Sequence, residues 1–251
     1  MERAYAQLID IARTTWAQAE QVSRALRPRK QEPAQRVHQR LLHFLPLVAQ
    51  VIHQAVRRLF HRDTLPASAK VVSLFEAHTQ ILRRGKAPPR DTEFGHKVNY
   101  AEVEPGLISD WQVLAQGNPP DEQLLPALLR RHQKRFGQGP RLLAGDRGLF
   151  SPRNEHLARR LGVKQICLPQ PGAKTEQRRR QERQAWFKQG QRFRNGIEGR
   201  ISVVRRTVQL ARCPYHGLEG FERWIGWGII VANLLVIARR RSKRRHRSKP
   251  P

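Results

Sequence analysis

The chain has 251 residues, enough for one large domain or two small ones. Its 48 Lys and Arg against 20 Asp and Glu give a formal net charge of +28, which points to a polyanionic partner, nucleic acid first, without separating enzyme from binder. Two distant cysteines, Cys167 and Cys213, with no CxxC pair and no His at ligand spacing, argue against a disulfide scaffold or a zinc finger. They suit a reduced, cytoplasmic setting.

Met1-Glu2-Arg3-Ala4-Tyr5 opens without an apolar signal-peptide core. Residues 1–60 read as two helices. In the first, Ala4, Leu8, Ile11, Ala12, Thr15, Ala19 and Val22 make one apolar face. Arg27-Pro28-Arg29-Lys30 breaks it. The second runs from about Ala34, and Pro46 inside it is expected to kink or split it.

From Lys70 the pattern changes. Val71-Val72-Ser73-Leu74-Phe75-Glu76 is short and β-prone, and residues 83–90 form a basic loop. Residues 94–103 and 107–115 read as a hairpin across Glu104-Pro105-Gly106. A helix follows with Leu124, Leu125, Leu128, Leu129, His132 and Phe136 on one side, ended by Gly137-Gln138-Gly139-Pro140. Then comes Arg141-Leu142-Leu143-Ala144-Gly145-Asp146-Arg147-Gly148-Leu149-Phe150-Ser151-Pro152. This is a strand that delivers an acid, a turn, and a helix start with Ser as N-cap and Pro at the first position. Open α/β sheets place their chemistry at such strand ends. The helix ends at Gly162, and residues 163–169 are another short strand, so the middle of the chain is an α/β domain.

Residues 175–190 are very basic and are expected to be an exposed helix, with Trp186 and Phe187 its only large apolar residues. In the next stretch Arg194, Glu198 and Arg205 fall on one helical face, beside an apolar stripe of Ile197, Ile201, Val204 and Val208. A carboxylate flanked by guanidinium groups suits a metal-and-phosphate site. From spacing alone, an ordinary i, i+4 ion pair on a surface helix is the simpler reading. Residues 224–238 are apolar but short of the ~20 residues a spanning helix needs. They carry Asn233 and two glycines, and are expected to form a buried helix. The remaining charge concentrates at residues 174–206 and in the basic C-terminal segment.

Several landmarks occur in one order: Val72-Ser73-Leu74-Phe75-Glu76, Arg84-Gly85-Lys86, Glu93-Phe94-Gly95-His96-Lys97-Val98, Gly117-Asn118-Pro119, Ala144-Gly145-Asp146-Arg147-Gly148, Leu168-Pro169-Gln170-Pro171-Gly172, Gly196-Ile197-Glu198-Gly199-Arg200-Ile201 and Gly220-Phe221-Glu222-Arg223-Trp224. Over residues 70–237 the chain resembles the C-terminal catalytic part of bacterial DDE-type insertion-sequence transposases, most closely the ISNCY-like group. The resemblance implies a ribonuclease-H-like α/β fold in which three acids bind two divalent ions, Mg²⁺ or Mn²⁺. It assigns the second Asp to Asp146 and the Glu to Glu198, both as catalytic metal ligands. A related family signature, Tyr, two residues, Arg, three residues, Glu, six residues, Lys, falls here on Gln191, Arg194, Glu198 and Arg205. Arg keeps the final charge, whereas Gln in place of Tyr puts a DNA-end contact in doubt. Arg194, Arg205, Arg147 and Arg200 are the expected DNA-binding residues.

The first catalytic Asp of such enzymes sits on the first strand, in an Asp-Thr-Thr or Asp-Gly-Thr setting, and no such motif occurs here. Asp10 lies in a helical pattern and Asp63 in a loop-like one, while Asp91 and Asp110 fall where the family has later strands. The expected organisation is therefore a helical segment, residues 1–66, resembling the insertion after a missing first strand. Residues 67–238 form the transposase domain and residues 239–251 a basic disordered tail. Two carboxylates without the one that bridges the ions make a poor cage. A sheet without a central strand also exposes edges. The function implied is metal-dependent cleavage and strand transfer of insertion-sequence DNA, in a truncated copy or one part of a split gene that is inactive alone. The rival is a DNA-binding remnant that is silent or interferes with full-length transposase. An unrelated basic nucleic-acid-binding protein is the third reading. Partners would be double-stranded insertion-sequence ends and other transposase chains, without a membrane, in the cytoplasm near the nucleoid.

Overall fold

The computed structural model describes residues 2–83, 92–104, 106–114, 119–210 and 212–247. The basic loop, the landmarks at 84–86 and 117–118, and Asp91 lie outside them. The chain divides into two compact units, one running through Lys97 and the other from Val98 on.

The first unit is built on α1 (Glu2–Leu26) and α2 (Glu32–Phe60). They pack antiparallel, as two cross-links require: the Trp16 indole N–H donates to the Leu45 carbonyl at 2.8 Å, and Ser23 Oγ lies 3.1 Å from His38 Nδ1. The contacting seam of α1 is Ile9, Ala12, Trp16, Ala19, Ser23 and Leu26, all buried or half-buried at three-and-four spacing. The expected face was rotated from this one, and its members Leu8, Ile11 and Val22 are exposed. Two apolar stripes run side by side on α1, and the seam that wins contains the Trp and Ser side chains with hydrogen-bond partners on α2. Pro46 does not split α2. It removes one backbone donor from the helix interior, and the neighbouring Leu45 carbonyl receives Trp16.

Val71–Glu76 was expected as a strand and is irregular. The Gln54 side chain takes both backbone groups of Val71, accepting from its N–H at 2.6 Å and donating to its carbonyl at 3.1 Å. Ser73 Oγ then accepts the Glu76 N–H at 3.1 Å, a local turn that competes with a ladder. The strand comes later, as β1 (Gln80–Arg83), paired antiparallel with β2 (Thr92–Gly95). The expected continuous strand 94–103 is interrupted after Gly95, whose φ of +139° is open to glycine and strained for other residues.

The second unit begins with a hairpin of β3 (Lys97–Val103) and β4 (Leu107–Leu114). There follow α3 (Asp121–Phe136), β5 (Leu142–Ala144), a 3-10 turn at Arg147–Leu149, α4 (Pro152–Arg160) and β6 (Gln165–Cys167). β5 and β6 pair in parallel, with Leu143 opposite Ile166. Three helices close the chain: α5 (Glu176–Arg183), α6 (Ala185–Thr207) and α7 (Gly217–Arg247). One core joins α3, α4, β5 and β6 through Leu125, Leu129, Leu143, Ala158, Ile166 and Leu168. A second joins β4, α6 and α7 through Ile108, Val113, Val204, Ile225 and Ile229.

The architecture is mixed α/β. The six strands among the described residues form three separate two-stranded sheets. α7 is half-buried where a buried helix was expected: Ile225 and Ile229 face the core, while Trp227, Ile230, Leu234 and Ile237 are exposed. Asn233 has a reason to interrupt the apolar run, because its amide accepts from Ile108 N–H at 2.9 Å and donates to Ile108 C=O at 3.0 Å. The helix continues to Arg247, so the basic segment begins as helix where an unstructured tail was expected. By length and composition the stretch Gly217–Ser242 could cross a membrane, a test that core helices also pass.

Candidate active site

Asp146 lies two residues past β5, at the N-cap of the 3-10 turn. The turn is fixed by the β5–β6 pairing, because Gly145 N–H donates to the Cys167 carbonyl at 3.2 Å. Ser151 then caps α4 through the Asn154 N–H at 3.2 Å, as the sequence predicts. Asp146 Oδ1 is buried without a hydrogen-bond partner, and Oδ2 lies 3.4 Å from Arg194 Nη2.

Glu198 lies on α6, one turn after Arg194, and its Oε1 is 3.0 Å from Arg194 Nη1. The two acids, far apart in sequence, therefore converge on one guanidinium. Two contacts place α6 for this. Gly190 packs directly against the Cys167 sulfur, so that any larger residue would collide with β6. The next residue, Gln191, donates through Nε2 to the Cys167 carbonyl at 2.7 Å and to the Gly145 carbonyl at 3.2 Å. Gln191 thus ties the helix that carries Glu198 to the peptide that leads into Asp146.

The donor set is partial for a divalent ion. Asp146 Oδ1 is a free, buried carboxylate oxygen, but Arg194 already stands between the two acids as their shared cation. Among the described residues no group of three His, Cys, Asp or Glu is arranged to hold a metal. The residues present do not complete a two-ion cage. Asp110 is not a spare ligand: it is buried on β4, with Arg131 Nε at 2.7 Å on one oxygen and Arg135 Nη2 at 3.2 Å on the other. Asp10 and Asp63 lie in the first unit, paired with Arg13 and Arg57. A further acid missed in the sequence is Asp121, at the start of α3. A Cβ built on Gly148 would meet Asp121 Oδ2 at 3.1 Å and Asp146 Oδ1 at 3.5 Å, so the two carboxylates flank that glycine. Its only sequence signal is an acid in the first helical turn, which a helix dipole explains as well.

The four expected DNA-binding arginines separate into two kinds. Arg147 and Arg205 are exposed. Arg194 is engaged by the two acids, and Arg200 Nε lies 3.8 Å from Glu102 Oε1 on β3. Glu102 is nearly buried, and burial raises its pKa against the opposing effect of Arg200.

The basic segment 175–190 also departs from the expected exposed helix. Arg178 is buried, with Nη1 bonded to Glu155 Oε1 at 2.6 Å and Nε to Glu182 Oε1 at 2.9 Å. Its Nη2 reaches the Leu168 carbonyl, and its plane lies 5.0 Å from the Phe150 ring centre. The i, i+4 pair Arg178–Glu182 was the available signal, masked by a run of charges that reads as a solvated face.

A family model described as a transposase DDE domain matches residues 106–234, slightly more than half of the chain, and the match includes Asp121, Asp146, Gln191, Arg194 and Glu198. No curated protein and no solved structure matches the chain.

Proposed function

The chain belongs to the transposase DDE domain family, and we propose that its chemistry is the cutting and joining of insertion-sequence DNA, with Asp146 and Glu198 as two of the catalytic acids. The observation that carries this reading is their convergence on Arg194. Members of this family act through divalent ions, Mg²⁺ or Mn²⁺, and Asp146 and Glu198 are the residues that would hold one here. Weak ion binding is the consequence of two acids without a third. A ribonuclease-H-like fold for the second unit belongs to the same proposal.

The chain's own groups have separable roles. Arg147 and Arg205, part of the +28 net charge, offer exposed guanidinium groups to DNA phosphates. A phosphate arriving at Arg194 competes with two carboxylates for a bidentate donor, so docking of DNA would release the acids. Gln191 keeps α6 and the Asp146 turn in register while this happens. The site lies in a cytoplasmic, nucleoid-facing protein, with double-stranded DNA as partner.

With the partial donor set seen among the described residues, this chain by itself is expected to be inactive. The second reading, a catalytically inactive DNA-binding protein that interferes with active transposases, is favoured by the partial donor set among the described residues. A cleavage assay with Mn²⁺ and duplex DNA carrying the element's ends tests whether the chain has catalytic activity. The expected result is salt-sensitive binding with no nicks or joined products. Cleavage lost in both Asp146→Ala and Glu198→Ala would overturn the inactivity and reveal a third ligand within this chain. Cleavage that survives both substitutions would belong to a contaminating nuclease.

A further inference from the structure

α7 is apolar on two sides, and among the described residues only one of them is packed. Ile225 and Ile229 lie in the core, and Asn233 fixes the helix to β4 through both backbone groups of Ile108. With that side held down, Trp227, Ile230, Leu234 and Ile237 face solvent, with Val231 beside them, and Trp227 and Leu234 are more than half exposed. The first four are spaced by three, four and three residues, the a and d seam of two heptads. At 1.5 Å per residue the seam is ~15 Å long. Apolar residues exposed singly are ordinary, whereas a contiguous stripe marks an interaction site. The charges along the helix are sorted by end. Glu219 and Glu222 accompany Arg223 at its start, whereas Arg239, Arg240 and Arg241 are exposed directly after the stripe, and the sequence continues with Lys243, Arg244 and Arg245.

We propose that the exposed face of α7 docks an acidic amphipathic helix of a separate protein, apolar along two heptads and acidic at the end that meets Arg239 to Arg241. A three-and-four spacing is met knob into hole by another helix, and not by a strand, whose side chains repeat every two residues. Two heptads are too few to hold an isolated coiled coil, but the core already anchors α7, so only the guest has to be ordered. Nucleic acid would satisfy the arginines and leave the apolar stripe in water. An anionic lipid surface would meet Glu219, exposed on the same face, with like charge, and a spanning α7 would lose its bonds from Asn233 to Ile108. A second copy fits poorly. In a parallel pair the arginines face each other. In an antiparallel pair the two acids and one arginine at the helix start, net −1, leave +2 of the three arginines unmatched. Carboxylates on the guest neutralise that excess, and the attraction weakens as salt rises. The surface uses neither Asp146 nor Glu198, so its test is independent of the cleavage assay.

The test uses the full chain and a fluorescein-labelled, three-heptad helical peptide, with leucine at the a and d positions of two heptads and glutamate at the exposed positions of the third. Fluorescence anisotropy should show micromolar binding. Binding should weaken at least tenfold in Trp227→Ser and in Leu234→Ser, which alter exposed positions and leave the circular dichroism spectrum unchanged. It should weaken as much when glutamine replaces the peptide's glutamates. Val22→Ser, at an exposed position of α1, should bind as the wild type does. No binding at submillimolar peptide, unchanged binding in both stripe variants, an equal loss in Val22→Ser, or equal binding of the glutamine peptide would overturn the proposal. So would self-association without peptide, seen by sedimentation and abolished by Leu234→Ser, which would make a second copy the guest. Flotation with phosphatidylglycerol vesicles, abolished by the same substitution, would overturn it in favour of a lipid surface.

Discussion

Cys167 is fully buried against Gly190 of α6, and burial pushes its thiol up to about 11. Cys213 is partly accessible. A thiol reagent at pH 8 should therefore modify one cysteine in the native protein and two after denaturation, as counted by mass spectrometry. Because the native Cys167 thiolate forms only near pH 11, raising the pH to 9 should not add the second label. Gly190→Ala places a methyl group against that sulfur. It should cost about 1–3 kcal/mol, the usual penalty of overpacking, and should speed labelling of Cys167. At this scale Asp146 and Glu198 were singled out by the order of the landmarks rather than by local spacing, which for Glu198 favoured an ordinary ion pair, and the structure brings both to Arg194. Gln191 read only as a lost tyrosine, since its use depends on carbonyls of Gly145 and Cys167, 46 and 24 residues away. Arg178 was hidden among neighbours of like charge for the same reason: its partner Glu155 lies 23 residues upstream.

The elements that organise the site are α5 and α6. Arg178 links α5 to α4 through Glu155, and all three side chains of the Arg178–Glu155–Glu182 group are largely withdrawn from solvent. Arg178→Ala removes the cation that the two carboxylates share, leaving Glu155 with Arg159 and Glu182 with Lys174, and should destabilise the second unit by about 1–3 kcal/mol, measured by urea unfolding. Burial alone would raise the Glu182 pKa, but bonds from Lys174, the Gln170 N–H and Arg178 outweigh it, and the net shift is downward from 4.5. A carboxylate with a lowered native pKa stabilises the fold above its unfolded pKa, and that stability is lost as pH falls through the native value. Unfolding midpoints of the wild type should thus drop on acidification below 4.5, and Glu182→Gln should flatten that drop. A larger drop in the variant would contradict the network. Helix ends were readable from Pro, Gly and Ser signals, whereas the strand at 71–76 was not. There a distant glutamine side chain supplies the backbone partners that a β-prone sequence would otherwise find in a ladder.

On the scale of the whole chain, the sequence was read as a helical segment over residues 1–66 and an α/β domain from residue 67, whereas the first compact unit runs through Lys97 and holds the β1–β2 pair as well as the two long helices. What composition could not reveal is that the strands among the described residues stand in three pairs, because sheet assembly depends on contacts between distant segments rather than on local preference. Nor could it reveal that two expected ligands share an arginine. That sharing is the central claim, and Mn²⁺ binding followed by electron paramagnetic resonance tests it most directly. Removing the competing cation in Arg194→Ala should tighten Mn²⁺ binding about tenfold, roughly 1.4 kcal/mol. Adding either Asp146→Asn or Glu198→Gln to that variant should abolish the gain, since both acids face the same ion. A gain that survives the loss of either acid, or no gain at all, would contradict a site shared by Asp146 and Glu198.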